Sequence, residues 1–312
     1  MPLKAIPNPP PFKEKFIERY STLTDWETFK NYSLSFLRKS IRVNTLKITV
    51  EELVTRLSDR FDLTPVPWAP YGFWLEHKEG RLDIGNTIEH MLGYYYIQEA
   101  ASMIPPLVLK PQPGEQVLDL CAAPGSKTSQ LAQHMTNTGS LFANDITGTR
   151  LAALGINLQR CGVHNAVITK TKGERFPTVQ FDRILVDAPC SGTGTIRKSI
   201  KTITMWNPKM VQRLTRVQLQ LLSHAFTLLK PGGTLVYSTC SLEPEENEGV
   251  LDAFLKREPQ AHLAPITLSL KRSPAILEFE GQTYKKEINN ALRLWPQDND
   301  TEGFFVAKLV KH

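Results

Sequence analysis

The chain has 312 residues, of which 37 are Lys or Arg and 31 are Asp or Glu, with 41% hydrophobic residues and a formal net charge of +6. That is enough chain to bury a sizeable core as one large or two unequal domains. No run of about 18 apolar residues and no N-terminal apolar core of about 7 to 15 residues occurs, so neither a membrane span nor a signal peptide is predicted.

In chain order, Lys13 to Leu23 and Trp26 to Leu37 have the spacing of two short amphipathic helices, with Asp25 placed to cap the second. The period then changes. Ile41 to Leu46 alternates as a strand, Val50 to Leu57 reads as a helix, and Phe61 to Leu75 offers extended segments broken by Pro65, Pro67 and Pro70. A further helix is predicted over Tyr94 to Met103, ending before Pro105-Pro106, which cannot continue a helix. A domain boundary is expected there, with a small α+β unit over 1–104 and a second domain over 105–312.

From Gln116 onward short apolar runs alternate with helical segments: Val117 to Leu120, Lys127 to His134, Leu141 to Asn144, Arg150 to Arg160, Ala166 to Thr169, Ile184 to Val186, Pro208 to Leu229, Thr234 to Tyr237 and Glu246 to Lys256. This pattern predicts an α/β fold with a mainly parallel sheet covered on both faces. In such sheets ligands sit beyond the carboxyl ends of the strands, where the strand order reverses.

The chemistry-bearing strings fall at those ends. The first strand leads into Cys121-Ala122-Ala123-Pro124-Gly125-Ser126-Lys127-Thr128, whose small residues allow close backbone approach while the following helix aims its free amides at the same place. It lacks the spacing of a dinucleotide fingerprint or a phosphate loop, which disfavours NAD and ATP. Asp145, closing the second strand, is placed to accept hydrogen bonds from ribose hydroxyls. A structural turn with a capping Asp fits the same spacing. Asp187-Ala-Pro-Cys190 and Ser238-Thr-Cys240-Ser each follow a strand-like run, so two thiols are expected at one edge of one sheet. A thiolate can add to an electron-poor ring carbon such as pyrimidine C6. The four cysteines, Cys121, Cys161, Cys190 and Cys240, show no CxxC spacing and no neighbouring His in a ligand pattern, which argues against a metal site and fits a reduced cytoplasmic setting. Cys161, inside an amphipathic helix, reads as structural, and His224 as a core or surface residue.

Charge is uneven. Residues 1–104 carry 13 basic and 13 acidic side chains, whereas Arg160 to Arg216 carries 11 and 3. Such a cluster beside a candidate site is the footprint of a polyphosphate partner, although a solvated charged face has the same composition. Trp206 and Arg197, in the loop after Gly192 and Gly194, are placed either to stack on and neutralise RNA or to pack that loop.

Cys121-Ala-Ala-Pro-Gly-Ser-Lys-Thr, Ala143-Asn-Asp145 with Arg150, Asp187-Ala-Pro-Cys-Ser-Gly-Thr-Gly, and Tyr237-Ser-Thr-Cys-Ser with Glu243, Glu246, Asn247 and Glu248 together resemble the Nop/Sun family of RNA cytosine-5 methyltransferases. Ile41-Arg-Val-Asn-Thr-Leu-Lys, Tyr96-Ile-Gln-Glu-Ala-Ala-Ser and Gly303-Phe-Phe-Val-Ala-Lys-Leu extend the likeness over most of the chain. The resemblance implies a class I S-adenosylmethionine-dependent methyltransferase fold, Rossmann-like, preceded by a small RNA-recognition-like unit. It implies methylation of cytosine C5 in RNA, with tRNA favoured and rRNA the alternative; a monomer with no metal or membrane partner is expected. Cys240 is then the nucleophile that adds to C6, Asp187 the acid or donor toward N3, and Cys190 the thiol that assists release. Lys127 is expected to hold the base or Asp187 near the methyl donor. Cys121, Ala122, Ala123, Pro124, Gly125, Lys127, Asp145, Arg150 and Asp187 are expected to surround S-adenosylmethionine. One departure stands out. The family places an Asp beyond the third strand to meet adenine, but this chain reads Val167-Ile-Thr-Lys-Thr-Lys-Gly-Glu174. Two other readings stay open: an exocyclic-amino methyltransferase, which leaves Cys240 unexplained, and a noncatalytic RNA-binding protein on a methyltransferase fold.

Overall fold

The computed structural model describes residues 3–81 and 84–312. Helices α1 (Glu14–Leu23) and α2 (Trp26–Ser33) lead into β1 (Lys39–Val43), α3 (Val50–Leu57), β2 (Phe61–Pro65), β3 (Gly72–His77), α4 (Ile88–Met91) and β4 (Tyr95–Ile97). Asp25 caps α2 by accepting from the Thr28 amide at 2.8 Å, and Thr49 with Glu52 forms a reciprocal capping box on α3. The four strands form one antiparallel sheet in the order β2-β3-β1-β4, a split βαβ arrangement. Ile41, Val43, Phe73, Leu75 and Tyr95 face α3 and form a closed core with Leu53 and Leu57. The opposite face carries Ser40, Arg42, Trp74 and Tyr96. It is not open: buried Arg42 donates to Gln98 at 2.8 Å and reaches Gln133 and Ser129 of the next unit, and Trp74 packs beside Trp68.

The helix expected over Tyr94 to Met103 is replaced by β4 and a single turn over Ala101–Met103. The apolar stretch is short enough to pair as an edge strand with β1, and tertiary pairing overrides its helical spacing. Pro105 and Pro106 do not end a helix. They occupy the first turn of α5 (Ile104–Leu109), where a missing N–H costs nothing, and both are buried.

The rest of the chain forms β5 (Gln116–Asp119), α6 (Ser126–His134), β6 (Ser140–Asn144), α7 (Gly148–Cys161), β7 (Ala166–Thr169), β8 (Phe181–Asp187), α8 (Lys201–Met205), α9 (Pro208–Thr227), β9 (Leu229–Thr239), α10 (Val250–Arg257), β10 (Ala261–Ala264), the small hairpin β11 (Glu278–Phe279) and β12 (Gln282–Thr283), β13 (Leu292–Leu294), α11 (Pro296–Asn299) and β14 (Phe304–Lys311), with all these strands but the hairpin in a second sheet. Its order is β10-β14-β9-β8-β5-β6-β7, with β13 on β14 and the hairpin apart. β5 to β9 pair in parallel, and β14 inserts antiparallel between β9 and β10. Alternating side chains of the central strands feed two cores. Leu118, Ile184, Val186, Leu235 and Tyr237 join Leu222, Phe226 and Phe254 on one face, while Val117, Leu185 and Val236 join Leu109 and Leu131 on the other. Burial on both faces explains why these strands read as unbroken apolar runs. The chain leaves β5 toward β6 on one side and returns to β8 on the other, so the switch point lies at the carboxyl end of β5.

Candidate active site

Neighbouring strands β8 and β9 end in register, with Asp187 opposite Ser238, and this delivers both cysteine strings to one place. The sulfurs of Cys190 and Cys240 lie 3.2 Å apart. Buried Glu246 holds the two loops together: it accepts from the Ser191 amide at 2.9 Å, from both the Ser191 and Ser241 hydroxyls, and from Gln218 at 2.8 Å. Each serine directly follows one of the cysteines. Gly194 adds a second clasp, donating to the Cys240 carbonyl at 2.9 Å and accepting from the Gly303 amide at 2.9 Å. A side chain there would place its Cβ 2.2 Å from the Gly303 oxygen and 2.8 Å from that of Cys240, so only glycine fits.

The family's acidic run after Cys240 folds as a π-helical turn over Glu245–Gly249. Its members divide the scaffolding. Glu243 accepts from Tyr20 and from the Trp206 indole at 2.9 and 2.8 Å, Asn247 donates to the Ser241 carbonyl at 2.9 Å, and Glu248 pairs with Arg293 inside the core. Burial pushes Glu243 up to about 7 and raises Glu246 as well.

Asp187 is held on both oxygens. The Ser238 hydroxyl donates to Oδ1 at 2.7 Å, and the Lys127 ammonium lies 2.9 Å from Oδ2. Lys127 also donates to the Ser102 hydroxyl at 3.0 Å. Burial pulls the Lys127 ammonium down, but the Asp187 carboxylate outweighs it and the net shift is upward, so the lysine stays charged. Cys190 moves up too, first through its hydrogen bond to Cys240 and then through burial.

A cavity of about 410 Å³ runs from the β5 loop to Cys240, lined by Asp119, Cys121, Ala122, Ala123, Lys127 and Asp187 among others. Pro124 and Arg150 also line it, whereas Gly125, Asp145 and Cys190 are not among the lining residues. Gly125 adopts φ 104° at the start of α6, a turn that other residues rarely make. Arg150 ties the loop down by donating to the Ala123 carbonyl at 2.5 Å and pairs with Asp145 at 3.2 Å. Asp145 also accepts from the Thr147 amide at 2.9 Å. Asp119 accepts from Thr128 through Oδ2 at 2.7 Å, while its buried Oδ1 has no hydrogen-bond partner among the described residues. Burial pushes Asp119 up to about 7 and Cys121 up as well. An unpartnered carboxylate oxygen for an ammonium group and the amides opening α6 for a carboxylate suit the amino-acid end of S-adenosylmethionine.

Beyond the third strand, where an adenine contact was sought, Asn144 pins the chain instead. It accepts from the Thr171 amide at 3.0 Å and donates to the Thr171 carbonyl at 2.9 Å. Trp206 and Arg197 are not exposed to a nucleic acid: Trp206 is 1% exposed, and Arg197 spans the carbonyls of Ser35, Phe36 and Thr301 with an ion pair to Asp300 at 2.8 Å. Within the basic segment Arg160 and Arg183 are likewise spent on internal carbonyls and on Glu115. Lys170, Lys172, Arg175, Lys198, Lys201, Lys209, Arg213 and Arg216 stay exposed. Sequence reasoning passed over Asp119, Ser102, Glu99 and Glu302, all of which line the cavity. The strings around Glu99 and Gly303 carried the signal, because both belong to the family pattern. Among the described residues no group of three or more His, Cys, Asp and Glu is arranged to hold a metal ion, and no helix is long and apolar enough to cross a membrane.

Two family models match the chain, one described as 16S rRNA methyltransferase RsmB/F over residues 106–310 and one as the N-terminal domain of 16S rRNA methyltransferase RsmF over residues 12–100. A tRNA (cytosine(49)-C(5))-methyltransferase of Pyrococcus abyssi is 46% identical over 96% of both chains. The ribosomal RNA small subunit methyltransferase F of Klebsiella pneumoniae is 43% identical over 88% of this chain, and the match spans 57% of that longer protein. A solved methyltransferase homologue from Pyrococcus horikoshii superimposes with a TM-score of 0.86 at 40% identity, covering 96% of each chain.

Proposed function

The chain belongs to the RsmB/F family of RNA methyltransferases, and from that premise we propose that it methylates C5 of a cytosine in RNA, with tRNA as the substrate, through a bond from Cys240 to C6. The pair of thiols 3.2 Å apart beside the Lys127–Asp187 pair carries this reading, because in nitrogen methylation the substrate nitrogen attacks without help from a protein thiol and a scaffold needs none of the four. Cytosine C5 is too weak a nucleophile to take a methyl group unaided. When the Cys240 thiolate adds to C6, the ring electrons move to C5, which then forms the new carbon–carbon bond. Asp187 is assigned to N3, where in its protonated form it donates the hydrogen bond or proton that takes up the charge created by addition. Lys127, held between Ser102 and Asp187, keeps the Asp187 side chain in place. After transfer the C5 proton leaves as a base removes it, its electron pair re-forms the C5–C6 double bond, and the carbon–sulfur bond breaks. Cys190, whose sulfur lies 3.2 Å from that of Cys240, assists that release.

S-adenosylmethionine supplies the electrophilic methyl group when bound. Cys121 to Gly125, Lys127, Asp145, Arg150 and Asp187 are the residues assigned to it. Asp145→Ala is expected to raise its dissociation constant roughly tenfold or more, the loss of about 1.5 to 3 kcal/mol for a charged hydrogen bond. Titration calorimetry checks this, and unchanged affinity removes Asp145 from the site.

The 46% identity to the tRNA enzyme supports tRNA as the substrate. The enzyme is assigned to the cytoplasm as a monomer. Labelled methyl transfer to total tRNA and to 16S rRNA, with bisulfite mapping, tests the function. The expected result is 5-methylcytosine in tRNA alone. Label in rRNA alone overturns the substrate, and label in neither overturns the activity.

A further inference from the structure

β14 runs antiparallel to β9 with Phe305 opposite Thr239, so the residues just before it arrive beside Cys240. The Gly303–Gly194–Cys240 hydrogen bonds fix that approach, and Glu302 is the next residue. Glu302 is 3% exposed and lines the cavity together with Cys240, Asp187 and Lys127. Its amide donates to Glu99 Oε1 at 3.2 Å, while Glu99 Oε2 accepts from the Ala101 and Ser102 amides at 2.7 and 3.1 Å. Glu99 is therefore a structural acceptor with both oxygens engaged. Glu302 is different: its buried Oε1 has no hydrogen-bond partner among the described residues. Lys198, Lys127 and Arg197 act on Glu302 electrostatically, yet none hydrogen-bonds Oε1, and an acceptor withdrawn from water without a hydrogen bond costs free energy unless a donor arrives from outside. The methyl-donor loop lies at the β5–β6 side of the cavity, and Glu302 lies at the opposite, β9–β14 side, where the RNA base must sit to meet Cys240.

Asp187 has its oxygens occupied by Ser238 and Lys127. The free acceptor is on Glu302, and cytosine differs from uracil by carrying a donor, the exocyclic amine, where uracil carries a carbonyl oxygen. We propose that Glu302 is a specificity-determining residue whose Oε1 accepts a hydrogen bond from that amine. Uracil in the same pose sets two acceptors against each other, losing the bond and adding repulsion. The inference rests on the cytosine-methylation reading given above.

Glu302→Gln tests it. The amide has nearly the same shape and presents either an oxygen or an N–H, so it can pair with either base, while the main-chain bond to Glu99 is untouched. Methyl transfer is measured on one target RNA carrying cytidine or uridine at the methylated position. Wild-type protein is expected to prefer cytidine by at least about a thousandfold in kcat/KM, and Glu302→Gln to cut that preference by about tenfold or more with S-adenosylmethionine affinity unchanged. A residue with only a structural role lowers both rates together, so an unchanged preference overturns the inference. Wild-type protein that methylates no cytidine in any RNA overturns the underlying reading instead. If Glu302→Gln does not fold, wild-type binding to the RNA with pyrimidin-2-one at the target reads the same contact: about tenfold weaker binding than to cytidine supports it, and equal binding contradicts it.

Discussion

Replacing Cys240 with alanine is expected to drop methyl transfer on the order of 10⁴-fold or more while leaving RNA and S-adenosylmethionine bound. The size follows from what the thiol does. Without addition at C6 the ring has no route to nucleophilic character at C5; of the other thiols, Cys190 is not among the residues lining the cavity, and burial pushes Cys121 up. The loss is chemical, not structural. Cys240 is only partly buried, so the deletion lowers stability by about 1 kcal/mol or less. Single-turnover transfer with labelled methyl donor, beside a melting curve, separates the two effects. A variant that folds, binds both substrates and still transfers methyl at a tenth of the wild-type rate would place the nucleophile elsewhere.

Arg293→Met is expected to lower folding stability by about 3 to 5 kcal/mol. Arg293 and Glu248 are both fully buried, with Nε to Oε1 at 2.8 Å, and Arg293 also donates to the Leu242 carbonyl at 3.0 Å. Methionine fills the volume but abandons a carboxylate in the core, and the uncompensated charge dominates the cost. Glu248 lies in the same π-helical turn as Glu246, so the damage reaches the clasp on the cysteine loops. Arg293→Met with Glu248→Leu removes the orphan charge and should recover more than half of the loss. Urea unfolding measures both, and a single variant within about 1 kcal/mol of wild type contradicts the account of this pair.

The parallel sheet was legible because its central strands bury both faces and therefore read as short apolar runs between helices. The site was legible for a related reason: Cys121 to Thr128, Asp187 to Cys190 and Ser238 to Ser241 all follow such runs, and strand ends gather at the switch point. Three features were not legible. Tyr94 to Met103 has helical spacing, yet Tyr95 to Ile97 pairs with β1, a long-range contact that local periodicity does not contain. The antiparallel β14 and the strands around it, though family-like in sequence at Gly303 to Leu309, gave no alternation that marked their place between β9 and β10. Whether Arg197 and Trp206 contact RNA or pack their loop stayed open because their partners, Asp300 and Glu243, are 103 and 37 positions away. Composition alone does not distinguish a guanidinium spent on carbonyls from one offered to phosphate. The same limit hid Glu302, whose importance lies in an unpaired oxygen that only packing reveals.

The division of labour between the thiols is read on a denaturing gel of Cys190→Ala protein incubated with target RNA and S-adenosylmethionine. This variant should still attack and methylate but fail to release, giving a slow-migrating protein–RNA band that nuclease treatment collapses, whereas Cys240→Ala should give none. Accumulation in Cys240→Ala and not in Cys190→Ala would reverse the two roles, and no band from folded Cys190→Ala protein on a methylatable RNA would contradict the covalent mechanism.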